Sequence, residues 1–236
     1  MSSPSSTKVV KIGVFVPGDA QLLDLACIDV FHMMSREYLS LIPILPAHIV
    51  ELAPSVEIYY ITSDANAKTT TTTTGDNKSE TETEGKHGKD DVMIPLTSKV
   101  SIKATHTISS SSPDIAPGNL NILLVPGPDP SSSFDEPVLQ FLRAHAEAAN
   151  RGTDILSVCT GILLCGAAGL LDNGRTACGP RGIQDEIRKK HPGAKLVGEK
   201  WRWVKDGNFW SSGEFYLFPS LPTYLLGINS GDEKKI

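Results

Sequence analysis

Cys159 is the residue of this chain whose position most strongly suggests chemistry. An apolar segment with strand character, residues 155–158, ends at it, and a helix rich in small residues follows at once. A strand that turns sharply into a helix is a known way of holding a nucleophile above a parallel sheet. The free N–H groups at the helix N-terminus would then face the sulfur and favour thiolate over thiol. We therefore expect a reactive Cys159 whose pKa lies below that of a free cysteine.

The other three cysteines are expected to be structural. Cys165 lies one and a half turns into the same helix and should point elsewhere, and Cys27 and Cys178 are assigned to the structure as well. The four cysteines show no CxxC pair or other metal-ligand spacing, so we expect neither a metal nor a cofactor. A few scattered cysteines in a chain of 236 residues also favour a reducing, cytoplasmic location.

A group that moves protons must come from another part of the chain. Asp24 is the main candidate, but aspartate is also a common helix cap, and the sequence leaves both roles open. Asp19 and Asp29 are expected to be solvated surface groups. His106 and His145 could be partners of Cys159, but ordinary structural roles are favoured for both.

Three tryptophans, Trp201, Trp203 and Trp210, lie within residues 200–213. They either cover the edge of the core or line an aromatic substrate pocket.

Strands and helices alternate along the chain, which is typical of α/β proteins. Strands are predicted at residues 9–16, 56–62, 120–125 and 155–158, and helices at 24–38 and 137–150. This order predicts a doubly wound, mostly parallel sheet with helices on both faces. Ligands of such sheets bind at the carboxyl ends of the strands, where residues 17–18, 126–127 and 159–160 all fall. Three separate segments therefore point to one crevice.

The composition restricts the classes of partner. The formal net charge is −5 without a basic cluster, which argues against nucleic acid. No apolar run is long enough to span a membrane, and the N-terminal residues lack the apolar core of a signal peptide. The sequence therefore favours a small molecule as the partner.

The chain divides into one α/β domain and three unusual segments. Residues 1–8 are expected to be a disordered N-terminus, and residues 9–213 form the domain. Within the domain, residues 63–91 contain a run of six threonines and almost no apolar side chains, which predicts a disordered surface insertion. Residues 214–236 are apolar, broken by prolines, and expected to be an atypical C-terminal tail.

The chain resembles the PfpI/ThiJ branch of the class I glutamine-amidotransferase-like superfamily. Residues 15–31 are similar to the family's first strand and helix, with a Leu-Asp-Leu centred on Asp24, and residues 122–127 to the strand before its Pro-Gly-Gly loop. Residues 157–161, Ser-Val-Cys-Thr-Gly, resemble its nucleophile elbow together with residues 167–171. Within this branch the isonitrile hydratases are the most similar, and the resemblance implies a flavodoxin-like fold.

The resemblance also implies a reaction. Isonitrile hydratases add water to an isonitrile and form an N-substituted formamide through a thioimidate on the elbow cysteine. Carried onto this chain, Cys159 is the nucleophile, Asp24 the acid and base, and Thr160, Gly127 and Gly161 form the substrate- and anion-binding position. Such an enzyme would suit the tailoring or detoxification of an isonitrile natural product, and a homodimer is compatible with the resemblance.

Three departures from the family pattern leave alternatives open. Arg175 is followed by Thr-Ala-Cys and not by the family's Thr-Thr-His-Trp, so a Cys–His pair is not expected. Pro128 replaces the second glycine of Pro-Gly-Gly and has no N–H, so Thr160 or another donor must stabilise an anion. Residues 214–236 do not resemble the family's terminal helix and suggest a truncated or altered tail. The alternatives are a glyoxalase- or deglycase-like enzyme acting on reactive carbonyls, and a cysteine-based sensor or degenerate member without catalysis.

Overall fold

A seven-stranded sheet forms the centre of the structure, a computed structural model that describes residues 8–67, 91–148 and 152–213. In chain order the strands are β1 (Val9–Phe15), β2 (Ser55–Thr62), β3 (Met93–Pro95), β4 (Ser101–Lys103), β5 (His106–Thr107), β6 (Ile122–Val125), β7 (Asp154–Val158), β8 (Thr176–Ala177), β9 (Lys195–Leu196), β10 (Trp203–Asp206) and β11 (Phe209–Ser212). Seven of them form the main sheet in the order β10-β11-β7-β6-β1-β2-β5, and β3-β4 and β8-β9 form two small sheets.

Among the described strands, the neighbours in the main sheet run parallel except for β10 and β11, which pair in antiparallel fashion. The helices that connect and cover the strands are α1 (Cys27–Met33), α2 (Arg36–Leu39), α3 (Ala47–Val50), α4 (Glu136–Glu147), α5 (Gly161–Ala167) and α6 (Gln184–Lys190). Short 3-10 helices lie at Leu22–Leu25, Pro113–Ile115 and Arg181–Ile183. The doubly wound, mostly parallel sheet predicted from the sequence is therefore confirmed.

The core has two layers, one on each face of the sheet. On the first face, Ile28 and Phe31 of α1 pack against alternate residues of the central strands, such as Leu124. On the second face, Leu142 of α4 packs in the same cluster as Val125. All four residues of β6 are buried, as expected for a central parallel strand with both faces covered. The two layers fix β1, β6 and β7 side by side, so their carboxyl ends meet.

The predicted helix at residues 24–38 is wrong as one continuous element. It consists of the 3-10 helix, α1 and α2, with a break at Met34 and Ser35. The buried Ser35 has extended backbone angles, and its hydroxyl accepts a hydrogen bond from the N–H of Tyr38. Serine makes this contact as an N-cap, so it ends one helix and starts the next. The second predicted helix, residues 137–150, is observed as α4, and residues 149–151 lie outside the described residues.

The predicted insertion at residues 63–91 begins too early. Ser63 is buried, and its hydroxyl donates to the carbonyl of Pro17. The Asn66 side chain donates to the carbonyl of Gly18 at 2.7 Å, within a helical turn at residues 64–67. Residues 63–67 therefore belong to the domain and hold the loop that follows β1. The predictions for residues 68–90, for 1–7 and for 214–236 concern parts of the chain outside the described residues.

Over the described ranges, the structure contains no helix with the length and apolar character that crossing a membrane requires.

Candidate active site

Cys159 occupies a sharp turn between β7 and α5. Its φ is +54°, a left-handed conformation that residues other than glycine rarely adopt. Its N–H donates to the carbonyl of Ser212 at 2.9 Å, which ties the turn to β11. A Cβ at Gly161 would collide with the carbonyl oxygen of Val125, so only glycine lets α5 start this close to β6. The turn has the geometry of a nucleophile elbow.

Asp24 lies across from this turn, in the 3-10 helix after β1, and is only 3% exposed. Its Oδ2 accepts the N–H of Gly127 at 2.8 Å, and the carboxylate is also hydrogen-bonded to the thiol of Cys159. Burial raises the pKa of Asp24 from 3.8 to about 6, and the two hydrogen bonds offset part of that effect. The site therefore contains a carboxyl group that can change protonation near neutral pH, in contact with the sulfur.

The low pKa expected for Cys159 is wrong. Burial raises the pKa of its half-buried thiol, and the neighbouring Asp24 carboxylate raises it further. Contacts with the N–H and hydroxyl of Thr160 act in the opposite direction but do not outweigh the other two effects. The helix start alone therefore does not determine the state of the sulfur, because the Asp24 carboxylate, distant along the chain, lies beside it.

Thr160 and Gly127 complete the cluster that the sequence predicted. The Thr160 hydroxyl donates to the carbonyl of Pro128 at 2.8 Å and thereby links the elbow to the loop after β6. A Cβ on Gly127 would meet both the Thr160 hydroxyl and Oδ2 of Asp24. A glycine is therefore needed for the three chain segments to approach each other. The structure brings together Cys159, Asp24, Thr160, Gly127 and Gly161.

Gln21 is a further residue of the cluster, and the sequence analysis missed it. Its Nε2 lies 4.0 Å from the sulfur of Cys159 and 3.5 Å from the Thr160 hydroxyl. Its backbone is fixed as well, because its N–H donates to the carbonyl of Gly127 at 2.9 Å. The sequence feature that could have indicated Gln21 is its position in the loop after β1, three residues before Asp24. Polar residues are common in such loops, so this position alone does not distinguish it.

The two candidate histidines do not join the cluster. His106 lies in β5, the last strand at one edge of the sheet. His145 is fully buried in α4, and one of its ring nitrogens contacts the carbonyl of Ile115 at 3.1 Å. Burial lowers the pKa of His145 to about 4, so this ring is neutral at physiological pH. Both take the ordinary places that were predicted for them.

Asp19, Asp29, Cys27 and Cys165 occupy surface or structural positions. Asp19 accepts a hydrogen bond from the backbone of Asp129, and Asp29 is exposed on α1. Burial raises the pKa of Cys27 and of Cys165 to about 12, as expected for structural thiols. The Cys27 thiol donates to the backbone carbonyl of Asp24 at 3.2 Å and so supports the turn that carries the carboxylate.

Two of the tryptophans cover the edge of the core, and their lining of a substrate pocket stays a prediction. Trp203 and Trp210 stack with ring centroids 5.9 Å apart, and Trp210 is part of the core on the first face of the sheet. Trp203 and Cys159 are half-buried side chains packed against that same cluster. The stack therefore covers the core edge on the side of the sheet where Cys159 lies. Trp201 lies outside this stack, with the Lys200 ammonium above its ring.

Neither of two cavities in the described structure, of about 380 and 500 Å³, is lined by Cys159 or Asp24. Among the described residues, no group of His, Cys, Asp or Glu side chains has the arrangement to hold a metal ion. The site itself offers a thiol, a carboxyl group and the N–H of Thr160.

A sequence model of the DJ-1/PfpI family matches residues 44–218. No curated protein sequence matches the chain at a significant level. The fold is similar to that of a proposed transcriptional regulator protein from Vibrio parahaemolyticus, with a TM-score of 0.60 and 15% identity over 92% of this chain and 91% of that one. It is also similar to a DJ-1 superfamily protein from Salmonella typhimurium, solved as a cysteine-to-alanine mutant, with a TM-score of 0.57 and 17% identity over 94% and 92%.

A ThiJ/PfpI family protein from Pseudomonas syringae has a TM-score of 0.52 and 20% identity, over 94% of this chain and 66% of that protein. At these identities the likeness describes the fold and not the reaction.

Proposed function

This chain belongs to the DJ-1/PfpI family, which includes enzymes as well as regulators, and on that premise we propose that it is an isonitrile hydratase. The observation that carries the proposal is the hydrogen bond between the Cys159 thiol and the buried Asp24 carboxylate. Addition to an isonitrile requires a nucleophile and a proton at the same carbon, and this pair holds both. The proposed product is an N-substituted formamide.

In the proposed first step, Asp24 takes the proton of the Cys159 thiol as the sulfur attacks the terminal carbon of the isonitrile. The carboxyl group then delivers this proton to the same carbon, and a neutral thioimidate results. A carboxyl group with a pKa of about 6 suits both halves of the transfer, because neither protonation state is strongly favoured near neutral pH. The N–H of Thr160 lies beside the sulfur and stabilises negative charge there.

In the proposed second step, Asp24 acts as a base towards water. Water adds to the thioimidate carbon, one of its protons passes through Asp24 to the nitrogen, and the carbon–sulfur bond breaks. The formamide leaves, and Cys159 departs as a thiolate that recovers the remaining proton. Water and the isonitrile are thus the only reactants, and neither oxidant nor cofactor is consumed.

The raised pKa of Cys159 favours this reaction over a redox sensor. Oxidation of cysteine follows thiolate character, and a thiol with a raised pKa exposes little thiolate at neutral pH. A hydratase does not need a resting thiolate, because its base removes the proton during the attack. The pairing with Asp24 therefore supports the proposed reaction.

The proposal is tested by incubating the purified protein with alkyl and aryl isonitriles and measuring formamides by mass spectrometry. We expect turnover by the wild type, none by Cys159→Ala, and near-normal turnover by Cys165→Ala, which removes a thiol from the same helix. Brief mixing should also show a covalent adduct at Cys159 with the added mass of one isonitrile. Hydroxyacid formation from dicarbonyls, without formamide from any isonitrile, would replace the proposal by the glyoxalase-like alternative.

A further inference from the structure

Neither residue 127 nor residue 128 of the described loop after β6 has a free N–H to offer the Cys159 sulfur. Pro128 has no N–H, and the N–H of Gly127 is committed to Asp24 at 2.8 Å. The Thr160 hydroxyl has a single proton, which its 2.8 Å hydrogen bond places on the carbonyl of Pro128. The backbone N–H of Thr160 contacts the sulfur, but the Thr160 hydroxyl can donate there only by giving up that hydrogen bond, so the donor set is small for a sulfur that carries charge twice in one turnover.

The side chain of Gln21 lies where a further donor is needed. Its Nε2 carries two protons, and it lies 3.5 Å from the Thr160 hydroxyl and 4.0 Å from the Cys159 sulfur. The first contact orients the amide towards the elbow, and the second directs a proton to the sulfur. Hydrogen bonds of this kind are often long in a free enzyme and shorten when charge develops.

The backbone of Gln21 is held on both sides, which limits the positions that its side-chain amide can reach. Its N–H donates to the carbonyl of Gly127 at 2.9 Å, and its own carbonyl accepts the N–H of Asp24 at 3.1 Å. The loop after β1 and the loop after β6 are thereby joined at this residue. The backbone of Gln21 is thus hydrogen-bonded to both Gly127 and Asp24, and Asp24 is the proposed proton-transfer partner of Cys159.

We propose that the side-chain amide of Gln21 is a catalytic hydrogen-bond donor to the Cys159 sulfur. It stabilises the thiolate that forms during attack and again when the formamide departs. The proposal rests on the proposed function for its role in turnover, but its effect on the sulfur does not depend on the substrate. It extends the site by a residue from the first loop of the sheet.

The decisive measurement is the pH dependence of iodoacetamide alkylation at Cys159, followed by peptide mapping. Gln21→Leu keeps the length of the side chain and removes both protons, and Gln21→Glu puts a negative charge in the same place. We expect Gln21→Leu to move the midpoint of the profile upwards and to slow alkylation at pH 7 about tenfold, because a hydrogen bond to a charged group is lost. Gln21→Glu should slow it further.

Leu22→Ala, a change at the exposed neighbour, is the matched control and should leave the profile unchanged. An unchanged profile in Gln21→Leu, or faster alkylation in Gln21→Glu, would overturn the proposal. Should Gln21→Leu fail to fold, Gln21→Glu decides alone. Formamide formation is measured in parallel: a wild type without hydratase activity contradicts the proposed function, whereas the alkylation profiles still decide the role of Gln21.

Discussion

At the scale of single residues, the site depends on the carboxyl group of Asp24, whose charged form is poorly solvated because the side chain is buried. Asp24 is almost fully buried, and burial is the largest influence on its pKa. Functional sites often carry such a cost in stability, because the reacting group has to be held where its charged form is poorly solvated. The cost can be measured, since a raised pKa in the folded state makes stability depend on pH.

We predict that Asp24→Asn stabilises the protein at neutral pH. The folded-state pKa of about 6 exceeds the ordinary 3.8, so the protonated carboxyl stabilises the fold at low pH and that contribution is lost as pH rises through 6. The difference between the two values corresponds to about 3 kcal/mol, and an uncharged asparagine escapes this loss.

Chemical unfolding of both proteins between pH 4 and pH 8 would measure the effect. The stability advantage of Asp24→Asn should be small near pH 4 and grow towards its full size above pH 6. A constant difference across the range would mean that Asp24 is not the group whose pKa is raised. Asp29→Asn, which removes the carboxylate of an exposed residue on α1, is the control for the loss of one negative charge.

At the scale of elements, the elbow between β7 and α5 is the feature that the sequence predicted best. An apolar run, a cysteine and a Thr-Gly helix start are local signals, so they can be seen without knowledge of the fold. The break of the first helix at Ser35 and the position of Gln21 could not be predicted in the same way. Both depend on contacts with distant segments, and the carbonyl of Gly127 that holds Gln21 comes from another strand end.

We predict an unusual order of stabilities at the elbow. Cys159 has a φ of +54°, so Cys159→Gly should be more stable than Cys159→Ala by about 1 kcal/mol, because glycine adopts this conformation without the strain of a Cβ. The matched pair at Thr160, whose φ is −70°, should show the opposite order. Urea unfolding of the four variants would decide, and the same order at both positions would contradict a strained turn.

At the scale of the whole molecule, the doubly wound sheet could be predicted because alternating strands and helices allow few arrangements. The meeting of three strand ends in one crevice followed from that topology alone. The raised pKa of Cys159 could not be predicted, because it depends on how closely Asp24 approaches once both layers of the core are packed. The homodimer suggested by the resemblance stays a prediction.

We predict that the two ends of the low-complexity insertion differ in importance. Replacing residues 68–90 by a short Gly/Ser linker should leave the melting temperature nearly unchanged, because this segment offers almost no apolar side chains to a core. Replacing residues 63–91 should lower it by several degrees, since the contacts of Ser63 with Pro17 and of Asn66 with Gly18 are lost. Equal melting temperatures for the two deletions would show that the turn at 63–67 contributes nothing.

The central claim is that Asp24 moves the proton for a Cys159 nucleophile, and the formamide assay of Asp24→Asn tests it most directly. Asparagine keeps the shape and accepts the Gly127 N–H but cannot exchange a proton, so turnover should fall by about 10²–10⁴-fold. The protein should remain folded, Cys159 should still be alkylated by iodoacetamide, and Asp29→Asn should retain activity. Turnover by Asp24→Asn at a rate near that of the wild type would contradict the account, because it would leave Asp24 with a structural role only.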